Sequence, residues 1–276
     1  MIPLKAWAKI NLGLKILNKR EDGYHNIETT ITTINLADYI NLDKTDTQIV
    51  LESKGLDIPV QDNLCYRAAV QFKRKYGIKD GVKINLTKNI PIGGGLGGGS
   101  SDAATVLKGM RTLFNMNISD EELMKLGKEI GSDVPFFIKG KAAYVRGRGD
   151  ELKFFKMPKM SYVLYSPGYP ISTKWAYEEY DKNLLTLKAQ ADIIIDKKED
   201  KTRKGFVLEN DFEKLVFKYH PDLLDVKVNL LTAGAFMVSL SGSGSCLFAM
   251  VDDTIRKKVV KYLEGIGSQF FEVVTI

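Results

Sequence analysis

The chain opens on an alternation. Ala8, Ile10, Leu12, Leu14 and Ile16 stand at every second position between Lys9, Asn11, Gly13 and Lys15, the period of a strand with one buried face. Residues 27–53, rich in Thr, Ile, Leu and Tyr with turn residues near Asp38 and Lys44, predict two or three more strands. The period then lengthens. After Asp62-Asn63, the positions Leu64, Cys65, Ala68, Ala69, Phe72 and Tyr76 recur at helical spacing, and Gly77 ends the run. Val82, Ile84 and Leu86 alternate again. Ala103, Val106, Leu107, Met110, Leu113 and Phe114 return to helical spacing, with Ser100, Ser101 and Asp102 as N-cap and first-turn residues. Ser119-Asp120-Glu121-Glu122 is a capping box for another helix, which stops at Gly131. In the second half, strands are predicted at 162–165, 237–240, 247–251 and 270–276. Helices begin near residues 171 and 209, and a third covers 253–263. Strands and helices alternate throughout, over a length that supports a large core in one domain or two.

Between the strand at 82–86 and the helix after it lies KNIPIGGGLGGGSSDAA, residues 88–104, with six glycines in the seven positions 93–99, broken by Leu96. Glycine has the largest entropy cost on ordering, so such a run persists where backbone must approach a ligand or take up positive φ. A strand feeding a glycine loop that opens a helix aims free amides and the helix dipole at one place, an anion site fit for nucleotide phosphate. Pro91, Ile92, Gly93, Gly94, Gly95, Leu96, Gly97, Gly98, Gly99, Ser100 and Ser101 would form it. This is not a Walker A loop, which ends in Gly-Lys-Ser/Thr; here Gly99 is followed by Ser100 and the loop has no lysine. Gly93-x-Gly95-x-x-Gly98 matches dinucleotide spacing, but the next acidic stretch opens a helix rather than closing a second strand.

Other positions admit two readings each. Lys9 and Asn11 share the polar face of the first strand, where they are solvated or functional. Residues 18–23 read as a turn, and Tyr24-His25 directly follows it. A tyrosine face can stack on a flat ring and an imidazole can hydrogen-bond its edge, although a histidine on its own is more often a surface residue. Asp133, between a helix stop and Pro135-Phe136-Phe137, is a loop cap or a partly desolvated acid. Asn63 is at least an N-cap. Trp175-Ala176-Tyr177 has the spacing of a helix core, and the mixed charges of residues 196–204 read as a solvated loop.

Composition narrows the chemistry. A net charge of +6 suits anionic small molecules, and also nucleic acid. Two cysteines, Cys65 and Cys246, lie in apolar contexts as buried thiols, and with only two histidines a Cys/His metal site is improbable. No leader pattern and no apolar run near eighteen residues is present, so a cytoplasmic location is expected.

The loop PIGGGLGGGSSDAA resembles that of the GHMP kinases and, within them, the branch whose acceptor is a cytidine-diphosphate-linked methylerythritol. Ala8-Lys9-Ile10-Asn11-Leu12, Arg20-x-Asp22-Gly23-Tyr24-His25, Gly131-x-Asp133-Val134-Pro135-Phe136 and Ser241-Gly242-Ser243-Gly244-Ser245 extend the resemblance over nearly the whole chain. It implies an α+β two-domain fold, with a ribosomal-protein-S5-like α/β domain over 1–155, a ferredoxin-like α/β domain over 156–276, and the active site between them. The implied activity is ATP-dependent phosphorylation of the acceptor's 2-hydroxyl in non-mevalonate isoprenoid precursor synthesis. Asp133 is implied as the catalytic acid–base and Lys9 as its neighbour. Asn63 would lie by the adenosine, Asn11 and Thr173 by the acceptor, and Tyr24, His25 and Tyr177 around the cytosine. ATP is the co-substrate and Mg2+ is expected with it, though no acidic cluster announces metal ligands. Partners are small molecules, not nucleic acid or membrane, for a monomer or weak homodimer. Two alternatives stay open. One is a homoserine- or mevalonate-type kinase, which has no evident use for Tyr24-His25; the other is an RNA-binding module on a similar scaffold.

Overall fold

The computed structural model describes residues 1–194 and 208–276; the charge run at 196–204 falls outside the described residues. Two sheets carry the chain. The first contains β1 (Ile2–Lys19), β2 (His25–Thr45), β3 (Ile49–Lys54), β4 (Gly81–Thr87), β5 (Ala143–Arg146) and β6 (Glu151–Phe154), in the order β3-β4-β2-β5-β6 with β1 paired to β2. β1 and β2 run antiparallel from Ile2↔Leu42 to Lys19↔His25, with irregularities between Trp7/Lys9, Asn11/Gly13 and Ile16/Asn18. The second sheet has the order β10-β7-β9-β8, from β7 (Ser161–Ser166), β8 (Met237–Leu240), β9 (Leu247–Val251) and β10 (Gln269–Val274).

Helices α1 (Leu64–Tyr76), α2 (Gly98–Leu113), α3 (Asp120–Ile130) and α4 (Val134–Lys139) pack on the first sheet around Leu42, Phe72, Ile84, Leu107 and Phe136. Their ends are those the sequence announces: Asn63 Oδ1 accepts from Cys65 N, and the Ser119/Glu122 capping box opens α3. α5 (Thr173–Ile194), α6 (Phe212–Tyr219), α7 (Pro221–Thr232) and α8 (Asp253–Gly265) belong to the second sheet. α4 and α7 are not among the predicted helices, yet α7 carries its signature: Pro221 in its first turn, then Leu223, Val226 and Leu230 buried at helical spacing.

Three expectations change. β2 continues unbroken through Asp38, where a turn is predicted, and Asp38 is fully buried. α2 begins at Gly98 rather than near Ser100, because Gly97 as its N-cap adopts φ 69° and places two glycines in the first turn. β1 has no solvated face over its middle, since Lys9 and Asn11 are 6% and 5% exposed. The reason is that β1 runs between the two halves. A separate core of Ile10, Leu12, Ile34, Leu96, Tyr162 and Phe248 joins the sheets across it, and Leu14 and Ile16 enter the core of the second sheet. The polar side of β1 therefore faces a cleft instead of solvent.

Candidate active site

That cleft, about 1130 Å3 in volume, is lined by the glycine loop and by residues from both halves of the chain. Lys9, Asn11, Tyr24, His25, Asn63, Asp133, Thr173, Tyr177 and residues 91–100 all line it, so segments far apart in sequence converge. Ser101 does not. Its hydroxyl donates to Trp7 O at 2.6 Å and is buried beneath the loop, which leaves Ser100 as the hydroxyl at the mouth of α2.

The loop is held by its carbonyls. Gly93 O accepts from Ile171 N (3.1 Å) and Ser245 N (3.4 Å), and Gly94 O accepts from Cys246 N (3.3 Å). Gly95 O accepts from Lys9 Nζ (2.6 Å) and Ser241 Oγ (2.9 Å), and Leu96 O from Lys9 N (3.0 Å). None of the amides of residues 94–100 donates to another main-chain group outside the helices among the described residues. With its oxygens pointed into protein, the loop leaves its N–H groups for an anion at the positive end of α2. Only glycine permits this at two positions. At Gly95, φ is 75° and a Cβ would lie 1.8 Å from Ser241 O; at Gly97, φ is 69° and a Cβ would lie 2.7 Å from the Phe137 ring.

The serine–glycine turn between β8 and β9 is thus the clamp for the loop. It is itself fixed by Asn210, whose Nδ2 donates to Leu240 O (2.9 Å) and Gly242 O (2.8 Å). A second clamp was not legible from sequence. Lys88 Nζ donates to Asp38 Oδ2 and, at 2.7 Å, to Asp102 Oδ2. Asp38 Oδ1 accepts from Asn89 N (2.6 Å) and Ile90 N (2.8 Å), the residues leading into the loop. One ammonium thereby ties the start of the loop to the first turns of α2.

Lys9 Nζ, besides Gly95 O, donates to Asn11 Oδ1, and Asn11 Nδ2 donates to Thr29 Oγ1 at 2.9 Å. Through these two bonds the Asn11 side chain orients Lys9. Burial draws the Lys9 pKa below the ordinary lysine value, and the Asp133 charge partly offsets this. Asp133 acts across a gap, for no salt bridge joins the two side chains. It stands at the N-cap of α4 but makes no side-chain capping bond, so its carboxylate is free. Tyr177 lies close enough for burial, aided by the Asp133 charge, to raise its hydroxyl pKa.

Also lining the cleft, His25 is buried and stacked on Tyr177, ring centroids 4.9 Å apart and planes 16° apart. Tyr177 is therefore covered by His25 rather than standing as a separate wall. Tyr24 is 56% exposed with the Arg148 guanidinium 4.7 Å over its ring. His25 Nε2 meets Asp181 Oδ1 at 2.7 Å, and Asp181 Oδ2 accepts from Lys19 Nζ at 2.7 Å. Sequence reasoning missed Asp181, although its place four residues after Tyr177 on one helix puts both on one face. Asn63 Oδ1 caps α1 while its Nδ2 is buried without a partner. Thr173 Oγ1 pairs with Ser243 Oγ at 3.0 Å.

The profile of the GHMP kinases N terminal domain matches residues 63–141 and that of the GHMP kinases C terminal domain matches residues 200–267. The chain is 39% identical over 262 residues to 4-diphosphocytidyl-2-C-methyl-D-erythritol kinase of Clostridium beijerinckii, covering 93% of each chain. It is 38% identical over 271 residues to the kinase of the same name from Clostridium tetani, covering 95% of this chain and 97% of that one. A crystal structure of 4-(cytidine 5'-diphospho)-2C-methyl-D-erythritol kinase superposes over 99% of both chains with a TM-score of 0.81 at 29% identity. Methanococcus jannaschii mevalonate kinase shares the fold, with a TM-score of 0.70 at 18% identity over 100% of this chain and 98% of that one. The two halves around the cleft are those of the GHMP kinase fold, and with relatives this similar over nearly their full length, the chain belongs to the 4-diphosphocytidyl-2-C-methyl-D-erythritol kinase family of GHMP kinases.

Proposed function

We propose that this chain transfers the γ-phosphoryl group of ATP to the 2-hydroxyl of 4-(cytidine 5'-diphospho)-2-C-methyl-D-erythritol, a step of non-mevalonate isoprenoid precursor synthesis. The observation that carries the reading is convergence. An uncapped carboxylate (Asp133), a buried ammonium (Lys9) and a run of unpaired loop amides open on one cleft, which Tyr24-His25 also line.

Phosphoryl transfer asks the protein for positioning and charge stabilisation more than for covalent chemistry. The amides around residues 94–100, with the Ser100 hydroxyl, hold the triphosphate. Asn63 Nδ2, buried and unpaired, is a donor for the nucleoside. Asp133 accepts the proton of the attacking hydroxyl as the new phosphorus–oxygen bond forms and the bond to the β-phosphate oxygen breaks, releasing ADP. Lys9 offsets negative charge that builds on the transferred group. Its own orientation rests on Asn11, so Asn11 serves the acceptor site indirectly, while Thr173 and the His25–Tyr177 stack shape it. Magnesium accompanies the nucleotide. The Ser100 hydroxyl and the Asp133 carboxylate are hard oxygen donors of the kind it takes, and a Cβ placed on Gly131 would lie 3.8 Å from Ser100 Oγ, so the two donors belong to neighbouring segments. When bound, the ion neutralises phosphate charge. We place the division between the two domains near residue 155, between β6 and β7. No helix among the described residues is long and apolar enough to cross a membrane.

Coupled ADP release tests the assignment. The cytidylyl alcohol is expected to support turnover, with mevalonate and homoserine inactive. Turnover with either of those and none with the cytidylyl alcohol would move the chain to another branch of the superfamily.

A further inference from the structure

The part of the cleft whose hydrogen bonds the phosphoryl-transfer reading leaves unexplained is the chain Lys19–Asp181–His25. Asp181 sits on α5, one turn after Tyr177, and His25 is the first residue of β2. The carboxylate touches both neighbours at once, Oδ1 with His25 Nε2 and Oδ2 with Lys19 Nζ, each at 2.7 Å. Burial opposes ionisation of Asp181, but the hydrogen bonds from Lys19 and His25 outweigh it and hold the carboxyl below its ordinary pKa. An ionised carboxylate can only accept. Nε2 must then carry the hydrogen, and a neutral imidazole so held presents Nδ1 as a bare acceptor. Nδ1 has no hydrogen-bond partner among the described residues, and His25 lines the cleft. Lys19 sharpens the arrangement. Its ammonium donates to Oδ2, which leaves Oδ1 to accept from the imidazole.

A lone acceptor beside an aromatic stack discriminates between pyrimidines. Cytosine offers an exocyclic amino group, a donor; the matching edge of uracil offers a carbonyl, an acceptor. We propose that Asp181 is the positioning residue that fixes the pyrimidine preference of this site, by holding His25 in the Nε2–H tautomer so that Nδ1 accepts from the amino group of cytosine and repels the carbonyl of uracil. This rests on the reading of His25 as part of the acceptor's nucleotide site. It assigns to Asp181 no contact with the substrate.

The test compares kcat/KM for the cytidine- and uridine-diphosphate-linked methylerythritols, in the wild type and in Asp181→Asn. The wild type is expected to prefer the cytidine compound by about tenfold or more, since a mismatched buried pair leaves two polar groups unsatisfied. In Asp181→Asn the side-chain amide can donate to Nε2, moving the ring hydrogen to Nδ1. The preference is then expected to fall at least about tenfold, mainly through KM. A preference unchanged in the variant, or an equal loss on both substrates, overturns the role of Asp181 while leaving the kinase assignment intact. Turnover of neither compound by the wild type overturns that assignment and this proposal with it. A second readout needs no variant. Nitrogen-15 NMR of the His25 ring is expected to show a protonated Nε2 and an unprotonated Nδ1, and the reverse tautomer would sink the idea.

Discussion

Two lysines of this protein, one buried and one with its side chain almost so, behave in opposite ways. Lys9 is 6% exposed and the Lys88 side chain 7%. Burial works against both charges. At Lys9 it prevails and the pKa falls, because the ammonium touches only neutral oxygens, those of Asn11 and Gly95, and its carboxylate neighbour Asp133 acts without contact. At Lys88 the carboxylates of Asp102 and Asp38 are in direct contact and outweigh burial, so the pKa rises. The lesson concerns where the charge is answered. Lys88 is neutralised within the fold and serves as a strut between the two ends of the phosphate loop. Lys9 is left under-neutralised beside the same loop, on the wall of the cleft. One lysine stabilises the loop; on the proposed mechanism the other stabilises the phosphoryl group in transfer.

The largest expected effect falls on the partner of the under-neutralised lysine. Asp133→Ala is expected to lower kcat by about 10²–10⁴, the usual worth of a positioned acid–base group. Its melting temperature should not drop, since the carboxylate makes neither a cap nor a salt bridge. Turnover equal to wild type in coupled ADP release would remove Asp133 from the reaction.

Next come the lysines themselves, as a matched pair. Lys88→Met leaves two buried carboxylates facing each other and should cost about 3–5 kcal/mol of stability, the usual penalty for stripping one partner from a buried ion pair. Lys9→Met removes a buried charge that no carboxylate touches, so its stability should hold or rise while kcat falls by about 10²–10³. Denaturant melts and saturating kinetics on both variants separate the two roles. If Lys9→Met proves as unstable as Lys88→Met, the distinction drawn above is lost.

The same contrast marks what could be read from residues alone. The capping box at Ser119, the helix stop at Gly77 and the strand–glycine loop–helix are local, set by neighbours in sequence, and each is visible there. Lys9 and Asp133 were visible as candidates, but not what brings them to one cleft, which is that β1 passes between two sheets and loses its solvent face. Asp38 was misread as a turn residue because a charged side chain within a strand has no local justification; its partners are fifty and more residues away. The first turn of α2 escaped a reading based on cap preference, which favours serine over glycine. Gly97 can open the helix because its positive φ is free of strain, so the serines fall further inside and Ser101 turns under the loop. Asp181 needed the fold twice: once to bring α5 to β2, and once to pair with Lys19.

The smallest expected effect is a slope, and it belongs to the saturated cluster. One ammonium between two carboxylates leaves an excess negative charge in a buried place. Burial and the neighbouring Asp38 raise the Asp102 pKa, against the pull of Lys88, to about 7. Asp102 Oδ1 is buried with no hydrogen-bond partner, a natural seat for the proton. In the unfolded chain an aspartate titrates near about 3.9. Between about 4 and 7 the folded protein therefore holds a proton that the unfolded chain has released. This group's contribution to stability is full below the unfolded value and is lost as pH rises through that window, by at most about 1.36 kcal/mol per unit, then no further. Denaturant titrations at successive pH values should show wild type losing stability relative to Asp102→Asn as pH climbs toward 7, because asparagine keeps the shape and cannot titrate. Lys9→Met, which leaves Lys88 and both carboxylates in place, should track wild type in the same series. Parallel curves for wild type and Asp102→Asn would mean that Lys88 satisfies both carboxylates unaided, and the cluster would then differ from the Lys9–Asp133 pair in contact alone, not in its capacity to take up a proton.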